Sequence, residues 1–115
     1  MSGLTKDAFQ ALWDRFDREA QEHKFSQEAF LRLKAFYRQL DDDDRLVVNG
    51  VLPEWISQGD LRHRYDALAL IEDFGIRSVL PTLKVERARL ATADGPSVPF
   101  DRKELARIIA ELERT

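Results

Sequence analysis

Apolar residues in this chain recur at three- and four-residue steps and nowhere alternate with polar ones over the length of a strand. A helix turns once in 3.6 residues and can bury such a stripe on one face, whereas a strand needs a period of two. The pattern predicts an all-α protein of about six helices. Phe9, Leu12, Trp13, Phe16 and Ala20 mark a first helix over Thr5 to Glu22, with Thr5 as its cap. Ala29, Phe30, Leu33, Phe36, Tyr37 and Leu40 mark a second, capped by Ser26, and the short connection makes residues 1–40 an antiparallel helical hairpin.

The four adjacent carboxylates Asp41, Asp42, Asp43 and Asp44 repel one another unless a positive charge is near, and a helix amino end supplies one. They are therefore expected to cap and precede a third helix running to Gln58, with Gly59 as its stop. Pro53 has no N–H to give to the carbonyl of Asn49, so a kink or break is expected near Asn49-Gly50. Asp60 caps a fourth helix, Leu61 to Phe74, which is apolar over more than one face and is expected to be the most buried. Gly75 stops it in a left-handed turn. A fifth helix follows through Val79, Leu80, Leu83 and Leu90, with Pro81 in its first turn and Lys84, Glu86, Arg87 and Arg89 leaving it half-buried. Ala91 to Pro99 reads as a loop, and Asp101 with Glu104 as a capping box for a last helix carrying Leu105, Ile108, Ile109 and Leu112.

A chain of 115 residues fits one domain. Hydrophobic residues at 43% supply a core, and charged residues at 34% supply a solvated surface. The formal charge of −3 gives no overall attraction to nucleic acid or to an anionic membrane. With no cysteine there is no disulfide framework and no thiolate chemistry, which points to a reducing compartment and makes the cytoplasm the expected location. No basic-then-apolar leader follows Met1, and no apolar run reaches the roughly 18 to 20 residues of a membrane span.

Val51-Leu52-Pro53 and Val79-Leu80-Pro81 stand twenty-eight residues apart, each opening an apolar helix. Together with the stretch from Asp60 through Arg64, Tyr65 and Ala67 to Ile71, Phe74 and Gly75, this resembles a HEAT repeat over about residues 44–90. The resemblance implies two stacked helix pairs, with Asp60 and Arg64 in a turn ladder, Ala67 at a close helix contact and Val79-Leu80-Pro81 opening a second helix. The fold is then a HEAT-like α–α superhelix or an irregular helical bundle: one helical domain over 1–115, with 44–90 as the helix pairs and 100–115 as a closing helix.

No nucleophile motif, phosphate-binding glycine loop or paired-histidine metal motif is present, so an enzyme is not expected, nor any cofactor or metal site. His63 lies between Arg62 and Arg64, which repel a cation. The expected function is a non-catalytic module that binds another protein, in an immunity, antitoxin-like or regulatory role, as a monomer or weak homodimer. Candidate partner-binding residues are Asp41, Asp42, Asp43, Asp44, Glu54, Trp55 and Arg62, although Trp55 suits a core position and the aspartates a solvated cap. The alternatives are a nucleic-acid-associated module using Arg62, Arg64, Arg77, Lys84, Arg87 and Arg89, whose interleaved carboxylates argue for ordinary surface pairing, or a small enzyme.

Overall fold

The structure is a computed structural model that describes residues 3–25, 27–96 and 98–114. Six α-helices and one 3₁₀ turn occupy them: α1 (Lys6–Glu22), α2 (Glu28–Gln39), α3 (Asp42–Gln58), α4 (Leu61–Phe74), the 3₁₀ turn Arg77–Val79, α5 (Leu80–Leu90) and α6 (Val98–Arg114). No strand occurs among the described residues. The fold is all-α, and its contacts divide into two compact units, Met1–Val51 and Leu52–Thr115.

In the first unit, α1 and α2 pack as a hairpin whose partners run in opposite directions along the chain. Phe9 stacks on Phe36 with ring centroids 6.3 Å apart, and Glu19 pairs with Arg32. Phe16, Ala20 and Ala29 form a buried cluster flanked by Leu12 and Phe36, and Arg32 covers the Phe16 ring. Thr5 caps α1 by accepting from the Ala8 N–H at 3.1 Å. The other end closes with the Phe25 N–H on the Ala20 carbonyl and the Lys24 N–H on that of Gln21, which brings Lys24 into the left-handed region at φ 55°. Such a close is ordinarily made by glycine, which has no Cβ to crowd the carbonyl. Ser26 lies outside the described residues, and the cap position of α2 is held by Gln27 without a side-chain bond.

The helix α3 runs unbroken through Gly50 and Pro53, so the expected break does not occur. A proline ring forfeits one backbone bond, and Val48, Val51, Leu52, Trp55 and Ile56, all buried, hold the helix on both sides of it.

In the second unit, α5 runs antiparallel to α6, with Lys84 reaching Glu113 at 2.9 Å near one end and Arg102 reaching the Leu90 carbonyl at the other. The chief helix neighbour of α5 is α6, and α4 also packs on α6. Gly75 closes α4 at φ 62°, as its lack of a Cβ allows. Gly59 follows the last residue of α3, as expected of a stop, in a close approach of backbone and side chain. A Cβ there would meet the Trp55 carbonyl oxygen at 2.5 Å and the Cβ of His63 at 2.7 Å.

Three further expectations change. Pro99 stands in the first turn of α6, where its fixed φ is already helical, so the helix begins at Val98 and Asp101 lies inside it instead of capping it. Glu104 bonds Arg107, so the expected capping box does not form. Glu86 is not on the polar face of α5 but buried, 3% exposed, where it meets Arg64 and Arg89. Finally, α4 is not covered on all its apolar sides: Ala67, Leu70 and Ile71 are buried, but Leu61 and Tyr65 on its other apolar side are exposed.

Candidate functional site

That second apolar side of α4 forms one wall of a groove. Leu61, Arg64, Tyr65, Leu68, Ala69 and Glu72 line it from α4, and Phe100, Asp101, Glu104, Leu105 and Ile108 line it from α6. The α4 set recurs at steps of three and four, the spacing of a single helix face. Two helices that each carry two apolar stripes can pack through one and leave the other open to solvent. Leu61, Tyr65 and Phe100 are 55%, 45% and 59% exposed at the lips, while Leu105 and Ile108 are buried beneath them. The groove encloses about 180 Å³. Sites that engulf a drug-sized ligand measure roughly 300–1,000 Å³, so this one fits a side chain or two of a larger molecule.

Charged groups at the rim are largely committed to one another. Arg107 on α6 bonds Glu72 on α4, with Nη2 to Oε1 at 3.1 Å, and Glu104 at 2.7 Å on its own helix. The Arg107 guanidinium holds the Glu104 carboxyl below its usual range, and Glu72 foremost, then Glu104, raises the pKa of Arg107. A carboxylate held ionised in this way is a poor proton donor at neutral pH. Arg64 has the buried Glu86 at 3.9 Å behind it. The Asp101 carboxylate makes no hydrogen bond or ion pair among the described residues.

The residues singled out from the sequence do not gather at this groove. Asp41 accepts from the Asp44 N–H at 2.9 Å, as a cap does, and Asp42 and Asp43 are exposed in the first turn of α3. Asp44 is 6% exposed and accepts from the backbone N–H groups of Gly3 and Leu4 at 3.3 and 3.2 Å. In the second unit, Glu54 is half-buried, Arg62 is exposed, and Trp55 is 4% exposed with its indole edge-on to the His63 ring at 5.0 Å. His63 Nδ1 lies 2.8 Å from Asp60, whose carboxyl also accepts the His63 N–H and is held below its usual range chiefly by that backbone bond. Asp60 thus engages His63, and Arg64 engages Glu86, in place of a ladder between Asp60 and Arg64.

Of the six basic residues considered for phosphate contact, Arg64 and Arg89 converge on Glu86, and Lys84 pairs with Glu113. No group of three or more metal-ligating side chains occurs among the described residues, and none of their helices is long and apolar enough to cross a membrane. The groove residues Leu61 and Tyr65 had one signal in the sequence, that α4 carries more apolar residues than a single buried stripe needs, whereas Phe100 on α6 had none. Comparison of the chain with known protein families, with curated proteins and with solved structures gives no match.

Proposed function

We propose that this chain is a non-catalytic, cytoplasmic module that binds another protein, and that the groove between α4 and α6 is where it does so. The observation that carries the reading is the set of three large side chains, Leu61, Tyr65 and Phe100, exposed around an apolar floor. Clustered exposed apolar side chains rimmed by polar ones mark partner sites on stable proteins, because leaving them in water forgoes the free energy of burial. Occlusion or scaffolding is the corresponding mechanism, and an immunity, antitoxin-like or regulatory role suits it. The pairing of α5 with α6 and the hold of Glu86 on Arg64 favour an irregular helical bundle over a HEAT-like scaffold. Affinity capture from the native host with the tagged full chain tests the reading. A protein partner in stoichiometric amount is expected, and capture of none would refute it.

A further inference from the structure

Resting on that reading, we infer that the groove between α4 and α6 receives a short amphipathic helix bearing a bulky apolar anchor and a lysine or arginine beside it. Length comes first. The lining residues of α4 run from Leu61 to Glu72, about 16 Å at 1.5 Å per residue, which is the length of a three-turn helix. A helix laid in a groove between two others presents anchors at i, i+3 or i+4 and i+7, and its ridges fit between theirs. The floor of Leu68, Ala69, Leu105 and Ile108 offers such an anchor apolar contact, with Ala69 leaving room where a larger residue would fill the space.

Charge then selects the flank. Among the lining residues Arg64 is positive and Glu72, Asp101 and Glu104 are negative. Arg107 returns one positive charge to Glu72 and Glu104, and behind Arg64 the charges of Glu86 and Arg89 cancel. The set as a whole carries one net negative charge, and Asp101, next to the exposed Phe100 lip, is the lining carboxylate whose side chain makes no ion pair among the described residues. Lys103, the neighbouring cation that acts on Glu104, forms no ion pair with a lining carboxylate among the described residues. A basic side chain on the incoming helix supplies what Asp101 lacks, while an acidic one meets repulsion. The same excess disfavours a symmetric pairing of two grooves, which would bring Asp101 towards its own copy.

The probe is a fluorescein-labelled, stapled helical peptide of about three turns with leucine and phenylalanine anchors on a lysine-bearing background. Two companions are needed, one with glutamate for each lysine and one with alanine for each anchor. Anisotropy titration against the full chain should show the lysine peptide binding at least about ten-fold more tightly than either companion, and more weakly as salt rises. Ala69→Trp, which fills the floor, and Phe100→Ser, an exposed change that spares the fold, should each weaken it at least about ten-fold. Asp101→Asn should weaken it about three-fold and flatten the salt dependence.

Equal binding of the lysine and glutamate peptides overturns the assignment of a basic flank. Undiminished binding to Ala69→Trp and Phe100→Ser, or none to any peptide at about 1 mM, overturns the groove as the site. A concentration-dependent dimer in light scattering that Phe100→Ser dissolves makes a second copy the occupant and overturns the basic helix. The wider reading is judged separately. If Phe100→Ser still captures the native partner in full, the chain is a binding module that uses another face.

Discussion

Replacing Arg102 with alanine tests how much of the second unit hangs on one side chain. Its Nε donates to the Leu90 carbonyl at 2.6 Å, and one terminal nitrogen donates to the carbonyls of Ala91 and Ala93 at 3.2 Å each. These acceptors stand where α5 ends and no further helical turn is available to satisfy them. A hydrogen bond with a charged donor contributes about 1.5–3 kcal/mol, and a cation near a helix carboxyl end a further ~0.3–1 kcal/mol. The total is discounted because the Ala91 bond is exposed and the Leu90 carbonyl also accepts from the Ala93 N–H at 3.3 Å. The expected loss is about 2 kcal/mol, a fall of roughly 10 °C in Tm for a chain of this size. Arg102→Lys, which keeps the charge but not the fork, should lose about half as much. Urea unfolding followed by circular dichroism measures both. A loss for Arg102→Ala below about 0.5 kcal/mol, the size of an ordinary surface change, would refute the reasoning.

Glycine substitutions should separate a position inside α3 from the one that follows its last residue. Gly50→Ala, with open space where its Cβ would lie, should stabilise by about 0.5–1 kcal/mol, whereas Gly59→Ala should destabilise by about 1–3 kcal/mol against the Trp55 carbonyl and the His63 Cβ; matched thermal melts decide. In the aspartate run, Asp44→Ala should lose about 1–2 kcal/mol with its bonds to Gly3 and Leu4, and Asp42→Ala or Asp43→Ala less than about 1 kcal/mol, so equal losses in chemical denaturation would contradict the buried role of Asp44. The pKa values of Glu19, Asp60, Glu104 and Glu113 are lowered in the fold, so their contribution is fully present above the ordinary carboxylate value and fades as pH falls through the lowered ones. The Glu28 carboxylate raises His23, so its contribution is present below the ordinary value of 6.5 and fades as pH rises through the raised one. His23→Gln should therefore flatten the pH dependence of the urea midpoint above 6.5 and leave the acid limb in place.

Much of the fold was legible because helix ends are local events. Thr5 and Asp60 cap through bonds that span three residues, Gly75 closes a turn through its own φ, and the α6 stripe of Leu105, Ile108, Ile109 and Leu112 needs only helical periodicity. Pro99 misled because a proline among Gly95, Pro96 and Ser97 reads as loop, although its φ also suits a first helical turn. Pro53 does not interrupt α3, because the local rule for a break counts the lost bond and not the burial on either side of it.

The candidate site was much less legible. That α4 holds surplus apolar residues is visible in the sequence, but which of them stay uncovered depends on where α6 lies, more than thirty residues further on. Helical periodicity and local capping fixed six helices and their approximate ends from the sequence alone, because those interactions close within a turn or two of chain. Only the tertiary structure decided that Glu86 is buried against Arg64, that Asp44 holds the backbone of Gly3 and Leu4, and that Leu61, Tyr65 and Phe100 ring one groove. Each of those outcomes joins residues from about twenty to forty positions apart, and no local rule says which surfaces a folded chain will bring together.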